Sequence, residues 1–339
     1  MGPGWVSSGF IYESAPFPSC HASTLVETPS GLLAAWFGGT HERHPDVEIW
    51  TAAFVDGKWG QPKPVADGRV GSDTRHPTWN PVLFQSSDGP LQLYYKVGPT
   101  PRDWWGMLMT SADHGESWSK PRRLPDGILG PIKNKPVELA GGKVVLPTST
   151  EDQGWRLHFE FTGPMAKEFR RTEPIPAADG IRAIQPSVLV HKDGRLQAIG
   201  RTRHSGVFQT WSRDQGETWS EVTRLGLPNP SAGTDAVTLA DGRHLLVYNH
   251  SSDGRSPLNV AVSDDGKAWE AALVLEDDPQ APAGFSYPAA IQTSDGLVHI
   301  TYTWKRERIK HVVLDPREFV TQPIQDGVWP ARDGSRTTP

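Results

Sequence analysis

The sequence is poor in cysteine and has no long apolar segment. Cys20 is the only cysteine among 339 residues, so no disulfide can form within the chain. No apolar run reaches the roughly 18 residues of a membrane-spanning helix, so we expect no membrane partner. The first residues lack the basic and apolar regions of a signal peptide, and a cytoplasmic location is therefore expected. A secreted protein trimmed of its leader would have the same sequence.

Signatures of several other partners are also missing. The net charge of −5 argues against nucleic acid as a partner. The chain has no glycine-rich phosphate loop and no Gly-x-Ser-x-Gly elbow. Histidines are numerous, but none has the clean spacing of a metal-binding motif with a carboxylate partner. We therefore expect neither a metal nor another cofactor, and the oligomeric state is left open.

What the chain does contain is a repeat. In Tyr287–Gly296 a polar residue precedes a short apolar run and an Asp-Gly turn, and an apolar return strand follows. The pattern occurs six times, with turn glycines 48 to 58 residues apart at Gly31, Gly89, Gly142, Gly194, Gly242 and Gly296. Six such units without helical periodicity between them predict an all-β fold, a six-bladed β-propeller of four-stranded antiparallel blades.

The two ends of the chain predict how the ring closes. Gly4–Glu13 has the pattern of a strand ahead of the first repeat, and the last repeat has no clear fourth strand after Ile309–Leu314. We expect the N-terminal strand to complete the last blade, which removes an exposed edge. Residues 1–320 would then form one domain. The polar segment 321–339 is expected to be an irregular tail.

A second motif follows the third strand of several repeats. It is present as Ser111–Trp118, Ser212–Trp219 and the shorter Ser263–Trp269, and in degenerate form as Val55–Trp59. Its aspartate, glycine and tryptophan suit a tight turn packed on the blade, so we interpret the motif as structural. The motif resembles the Asp-box, or BNR, repeat of the sialidase superfamily. This resemblance implies a six-bladed propeller with these turns on the face opposite the active site.

Single positions also match residues of that superfamily. Arg201 and Arg255 correspond to two arginines of the triad that binds the substrate carboxylate, and Tyr287 corresponds to the tyrosine nucleophile. His21 stands where the first arginine of the triad is found, and Gln185 stands where the glutamate that activates the tyrosine is found. The resemblance therefore implies a divergent member of the superfamily that acts on a carboxylated sugar.

The first residues of the six repeats give a separate argument for a site. Equivalent positions on the inner strands of a propeller form a ring around its axis. All six are polar, namely His21, Asn80, Lys135, Gln185, Asp235 and Tyr287. Buried polar groups need partners, so we expect these side chains to converge on one pocket. His21 and Asp235 are the ring members able to accept the Tyr287 proton. We expect Lys135 and Arg201 to favour the phenolate.

The loops between second and third strands emerge on the face of that ring and are charged and aromatic. The basic residues of this face are Arg43, Arg102, Lys133, Lys135, Arg201, Arg203, Arg255, Lys305, Arg306 and Arg308. Cations in a cleft attract anions, and arginine binds carboxylates with two parallel hydrogen bonds. An acidic oligosaccharide or glycoside is the predicted ligand. Predicted substrate-binding residues are Arg201, Arg255, Asn80, Lys133, Lys135, Gln185, Arg203, Trp105 and Lys305.

Three functions are compatible with these residues. In a sialidase-like glycoside hydrolase, Tyr287 would attack or stabilise the anomeric centre. A loop acid among Glu42, His44 and Asp46 would then protonate the leaving oxygen. In a polysaccharide lyase, arginines would neutralise a uronate and Tyr287 or His21 would move the proton during β-elimination. A non-catalytic glycan-binding propeller needs only the cations and aromatic rings. Hydrolysis is the function that the resemblance favours.

Overall fold

The computed structural model describes residues 2–204 and 206–331, and in this part of the chain it confirms the predicted all-β propeller. Six antiparallel sheets follow one another along the chain as blades. Inner strands are in contact between the first and second, the fourth and fifth, and the fifth and sixth blades, and also between the sixth and first blades. The helical segments of the described residues are two short 3-10 turns, Ala178–Gly180 and Pro316–Glu318. None of them is long and apolar enough to cross a membrane.

Each blade begins with an inner strand at the axis and proceeds outward. The inner strands are Ser19–Thr28, Thr78–Gln85, Val137–Glu138, Ala183–Val190, Asp235–Thr238 and Phe285–Gln292. The second strands are Gly31–Gly39, Leu91–Val97, Val144–Thr150, Leu196–Thr202, His244–Tyr248 and Val298–Trp304. The third strands are Glu48–Val55, Trp105–Ser111, Arg156–Thr162, Val207–Ser212, Leu258–Ser263 and Arg308–Leu314.

The outer strands are shorter and more varied. Those of the first five blades are Lys58–Trp59 with Lys63–Ala66, then Arg122–Arg123, Arg170–Arg171, Thr223–Arg224 and Glu270–Glu276. A separate small hairpin pairs Arg69–Val70 with Thr74–Arg75. Second strands are almost wholly buried, because each blade packs both faces against its neighbours. The core therefore lies between blades rather than within one of them.

The N-terminal strand completes the sixth blade, as the sequence predicts. Trp5–Phe10 pairs antiparallel with Arg308–Leu314, so that Gly9 faces His311. Phe10 packs edge-on against Trp304 of the same blade with ring centroids 5.2 Å apart. Strands from the two ends of the domain thus share one sheet, which closes the ring without an open edge between first and last blades.

The tail from residue 321 lies against the fifth blade. Gln322–Pro323 forms a short strand that pairs with Glu270 and Ala271, where the sequence predicts irregular structure. Trp329 packs against His250 with ring centroids 5.2 Å apart. The remainder of the predicted tail, residues 332–339, lies outside the described residues.

The serine–aspartate turns have the geometry of structural turns. The Ser111 hydroxyl accepts a hydrogen bond from the Gly115 amide at 2.8 Å, and the Asp113 carboxylate accepts one from the Ser117 amide at 2.9 Å. Gly115 has a φ of 96°, which favours glycine. In the matching turn of the fourth blade, Trp219 stacks on a phenylalanine of the third blade with centroids 3.9 Å apart. These turns therefore fix neighbouring blades to each other.

Bulges near the start of the inner strands aim side chains at the axis. In four blades the register between the first two strands shifts at this point. Five non-glycine residues, each nine positions before the turn glycine of its repeat, have φ between 37° and 71°: Ala22, Asn80, Lys133, Gln185 and Tyr287. This backbone region costs about 1–3 kcal/mol for such residues, so the surrounding structure must hold it. A bulge redirects its side chain, here toward the centre of the ring.

Two lysines and their partners join the blades at the axis. The Lys133 ammonium donates to Asn134 Oδ1 at 2.8 Å and to the carbonyls of Thr234 and Pro288, each at 2.7 Å. Asn134 Nδ2 donates to the Gln185 carbonyl at 2.9 Å. These bonds link the third blade to the fourth, fifth and sixth blades. All three ammonium protons of Lys133 have acceptors, which offsets part of the cost of burying the charge.

Asp235 forms the second part of this axial network. Its carboxylate accepts from Lys135 Nζ at 2.9 and 3.0 Å, from the Ser187 hydroxyl at 2.8 Å and from the Ala290 amide at 2.8 Å. Asp235 is buried, and these donors come from the third, fourth and sixth blades. Removing the carboxylate would leave a cation and two buried donors without their acceptor.

We expect Asp235→Ala to lower the free energy of unfolding by about 3–5 kcal/mol, the usual cost of removing one member of a buried ion pair. Urea unfolding monitored by tryptophan fluorescence measures this change. The matched control is Asp241→Ala, which removes an exposed aspartate paired with Arg243 and should cost less than about 1 kcal/mol. Equal losses in the two variants would show that the axial ion pair does not hold the blades together.

Candidate active site

Tyr287 lies at the centre of the ring. It is 8% exposed, and its hydroxyl accepts from Arg201 Nη2 at 3.1 Å and from Gln185 Nε2 at 3.3 Å. Gly233 leaves room for the ring, because a Cβ there would lie 3.0 Å from Tyr287 Cδ2 and 2.8 Å from Lys133 Cε. The sequence prediction that Tyr287, Arg201 and Gln185 meet in one site agrees with this geometry.

Three cations surround the Tyr287 ring. The guanidinium carbons of Arg201 and Arg255 lie 5.4 and 5.9 Å from the ring centroid, and Lys133 Nζ lies 5.6 Å from it. Arg255 also donates to the Ser286 hydroxyl at 3.2 Å. Burial lowers the pKa of Lys133 to about 7 and also lowers the pKa of Arg255. Keeping these side chains charged therefore costs free energy, which a bound anion would offset.

His21 packs against Tyr287 but as a neutral ring. The two ring centroids are 4.0 Å apart, and His21 Nδ1 is hydrogen-bonded with the Thr303 hydroxyl at 2.9 Å. Burial, followed by the charges of Arg306 and Arg255, lowers the pKa of His21 well below its ordinary value of 6.5. His21 is thus uncharged at neutral pH, and its lowered pKa makes it a weaker proton acceptor than an ordinary histidine.

Glu42 and Arg306 bridge the first and sixth blades at the mouth of the site. Arg306 Nη1 donates to Glu42 Oε2 at 2.7 Å. Both residues act electrostatically on Arg255, which places them in the same cluster. Arg306 is predicted from the sequence only as one of the basic residues on this face. The sequence feature that points to Arg306 is the charged loop Lys305–Arg308, which follows the second strand of the sixth blade.

The other two candidate acids of the first loop are bound within that loop. Asp46 Oδ1 lies 2.7 Å from His44 Nδ1, and the same carboxylate accepts from the Thr40 amide and hydroxyl at 3.0 and 2.5 Å. Partial burial works to raise the pKa of Asp46, but hydrogen bonds from Thr40 and His44 outweigh it and the pKa is lowered. Of the three candidates, the structure brings Glu42 to the cluster around Tyr287.

Two members of the predicted ring have another position. Lys135 donates to Asp235, and the hydrogen bonds of the Asp235 carboxylate go to Lys135 and to donors of the neighbouring inner strands, not to Tyr287. The lysine that contacts the Tyr287 ring is Lys133 and not Lys135. The reason is spacing, since Lys133 stands nine residues before Gly142, as Tyr287 stands before Gly296, and Lys135 stands seven before it. Asn80 has the ring spacing and is buried.

The remaining predicted binding residues lie further out. Arg203 is exposed, with its guanidinium carbon 5.9 Å from the centre of the Trp155 ring, and Trp155 in turn lies 5.0 Å from the guanidinium carbon of Arg201. Trp105 packs under Arg123 at 5.2 Å. Lys305 donates to Asp278 at 3.0 Å. Trp155 is thus the aromatic ring that lies closest to the Arg201 guanidinium, and the sequence predicts no role for it.

Two buried polar atoms beside Tyr287 have no hydrogen-bond partner in the described residues. They are Arg201 Nε, a donor, and Gln185 Oε1, an acceptor. Among the described residues, Arg201, Arg255 and Lys133 also have no ion pair with a carboxylate, and Glu42 pairs only with Arg306. Unpaired buried groups are costly unless a ligand completes them. The site is thus suited to a ligand that carries negative charge and a hydroxyl group. Within residues 2–204 and 206–331 no three acidic, histidine or cysteine side chains are grouped to hold a metal ion.

Fold and site together define a sialidase-type six-bladed propeller with a cationic pocket around a tyrosine at its axis. Residues 30–300 match the family described as BNR repeat-like domain, and the chain belongs to that family. The chain is 24% identical to the anhydrosialidase of Macrobdella decora over 232 residues, covering 59% of this chain and 30% of that protein. It therefore spans less than a third of the length of this curated relative.

Solved structures show the same fold. A protein of unknown function from Dyadobacter fermentans matches with a TM-score of 0.76 at 18% identity, covering 93% of this chain and 99% of that one. The intramolecular trans-sialidase from Ruminococcus gnavus matches with a TM-score of 0.74 at 15% identity, covering 94% and 99%. At such identities the likeness concerns the fold, and the chemistry has to be argued from the residues of the site.

The neutral His21 makes a prediction about acid stability. Its folded pKa lies below the unfolded value, so below about pH 6.5 the unfolded chain takes up a proton that the folded protein does not. We expect the unfolding free energy of the native protein relative to His21→Gln to fall as pH drops from 7 to 5. The slope should approach about 1.4 kcal/mol per pH unit. Urea unfolding across this range measures it, and His21→Asn should give the same slope. A flat difference would mean that His21 takes up its proton over the same pH range in the folded and the unfolded protein.

Proposed function

We propose that the protein is a sialidase-like glycosidase that cleaves a glycosidic bond at or next to a carboxylated sugar. The observation that carries this proposal is the pair of arginines around Tyr287, Arg201 and Arg255, which have no carboxylate partner among the described residues. A sugar carboxylate would pair with both guanidinium groups. The name of the Macrobdella decora relative, an anhydrosialidase, supports the same substrate class.

Arg201 and Arg255 would bind the carboxylate from either side of Tyr287. Both are held in place, Arg201 by the Ser231 carbonyl at 2.8 Å and Arg255 by the Ser286 hydroxyl at 3.2 Å. Arg306 would contribute a third guanidinium by exchanging Glu42 for the substrate carboxylate. Preorganised cations of this kind stabilise charge without rearranging during the reaction.

Tyr287 would then attack the anomeric carbon or stabilise its positive charge. The Arg201 and Gln185 donors already point at the phenol oxygen and would stabilise the negative charge that develops on it. His21 packs on the ring, and its pKa, lowered by burial and then by Arg306 and Arg255, would rise once a substrate carboxylate offsets those charges, so that it could accept the phenol proton. Glu42, once released from Arg306, would take up a proton from solvent and give it to the leaving oxygen. Water would then attack the anomeric carbon and return a proton to Glu42, while the Tyr287 oxygen leaves and recovers its proton from His21.

One observation favours β-elimination as a second candidate. The side chain bonded to the Tyr287 hydroxyl is the amide of Gln185, which cannot take up a proton as a carboxylate does. In elimination, the arginines would neutralise a uronate, and a base would remove the proton beside its carboxylate. The bond to the leaving oxygen would break, and a carbon–carbon double bond would form. A glycan-binding propeller without catalysis would use the same arginines and leave Tyr287 without a chemical role.

Tyr287→Phe is expected to lower turnover by at least about a hundredfold, a usual effect of removing an acid–base or nucleophilic group. Fluorogenic 4-methylumbelliferyl glycosides of N-acetylneuraminic acid and of glucuronic acid measure the rate. The control, Tyr95→Phe, removes another buried hydroxyl, in the second blade, and should keep native turnover. Elimination breaks the bond to O4 of a uronate, so it is followed separately on an oligosaccharide with a 4-linked glucuronate, whose product absorbs in the ultraviolet through its new double bond. Native turnover in Tyr287→Phe would contradict both chemistries.

Arg255→Ala is expected to raise KM for an acidic glycoside by about ten- to a hundredfold, because a charge-assisted hydrogen bond contributes roughly 1.5–3 kcal/mol. Arg213→Ala, which removes an exposed arginine on the opposite face, is the control and should leave KM unchanged. Equal activity of the native protein on a neutral glycoside of the same aglycone would count against the carboxylate as the recognised group.

A further inference from the structure

A second polar cavity lies beside the Tyr287 pocket. It has a volume of about 760 Å³ and lies between the third and fourth blades. Residues of both blades line it, including Trp155, Arg156, Arg182 and Arg203, and Arg102 of the second blade is the fourth arginine of its lining. None of the predicted or observed contacts of Tyr287 belongs to this cavity, so the central site leaves its chemistry unexplained.

The cavity is positively charged in a protein that is negatively charged overall. All four arginines are exposed, and none forms an ion pair with an acidic side chain of the described residues. Two acidic residues also line the cavity, Glu151 and Asp152. Glu151 Oε2 accepts a hydrogen bond from the indole of Trp155 at 3.1 Å, so this carboxylate orients the aromatic ring. The excess of unpaired guanidinium groups suits an anionic ligand.

Trp155 connects this cavity to the central pocket. Its ring lies 5.0 Å from the guanidinium carbon of Arg201, which holds Tyr287, and 5.9 Å from that of Arg203, which lines the cavity. The two guanidinium carbons thus lie near the same indole ring and at most about 11 Å apart, a distance that two linked pyranose rings can cover. Arg201 and Arg203 are therefore close enough to bind the carboxylates of two adjacent sugars.

We propose that this groove, bounded by Trp155, Arg156, Arg182 and Arg203, is a subsite for a second carboxylated sugar of the same chain. The inference rests on the proposed function, because the first carboxylated sugar occupies the Tyr287 pocket. It narrows the substrate class from a glycoside with one acidic sugar to an oligosaccharide with adjacent acidic residues. The carboxylate of the second sugar would bind to the groove arginines, and the ring of that sugar would pack on Trp155.

Isothermal titration at low ionic strength tests the subsite. The probes are N-acetylneuraminic acid with its α2,8-linked dimer, and galacturonic acid with its α1,4-linked dimer. They are added to the full-length Tyr287→Phe protein so that none is consumed. We expect one of the dimers to bind at least about tenfold more tightly than its monomer, the size of one added charge-assisted contact. The double variant Arg156→Ala/Arg182→Ala should abolish this gain and leave the affinity for the monomer unchanged.

The control for the change in net charge is Arg213→Ala, which should alter neither affinity. A dimer that binds no more tightly than its monomer would overturn the subsite while the proposed function stands. The same conclusion follows if the double variant keeps the full gain. Failure of all four sugars to bind would overturn the acidic-sugar site and the subsite together. Both side chains removed in the double variant are exposed in the native protein, and circular dichroism is the check that the variant folds.

Discussion

The cation buried at the axis is the constraint on which the rest of the structure depends. Lys133 cannot keep its charge under the Tyr287 ring unless three oxygens surround it, and those oxygens come from three different blades. The blades must therefore meet in one register at the axis. The same requirement fixes the carbonyl of Pro288, the residue after Tyr287, and so positions the tyrosine. Stability of the ring and geometry of the site are two consequences of one buried charge.

The site also stores electrostatic free energy that a ligand can release. Lys133, Arg201 and Arg255 lie around one ring, and the carboxylates of the region are engaged elsewhere, Glu42 with Arg306 and Asp235 with Lys135. Burial lowers the pKa of Lys133 and Arg255, which shows that the folded protein resists these charges. An anion that enters the pocket relieves this repulsion. A negative charge on a ligand would therefore contribute more to binding in this pocket than it would on an open surface.

The sequence predicts the architecture well, because each blade carries its own turn glycine and the missing last strand has an obvious substitute at the N-terminus. The site is predicted less completely. His21 is ten residues before its turn glycine, whereas Ala22 has the nine-residue spacing of Tyr287 and takes the bulge. In the third blade Lys135 precedes a proline, as Tyr287 does, yet Lys133 has the bulge position. Counting nine residues back from Gly142 leads to Lys133, whereas the polar residue followed by a proline leads to Lys135.

Other features have no signal in a single repeat. The pairing of Glu42 with Arg306 joins loops more than 260 residues apart, and nothing in either loop encodes the other. Likewise, Trp155 becomes part of the site only because the second strand of the fourth blade brings Arg201 over its ring. Repeats determine which face of the ring carries the loops, and contacts between blades then decide which loop residues meet. A propeller of this kind can therefore change its ligand through the loops while the axial network around Lys133 and Asp235 stays the same.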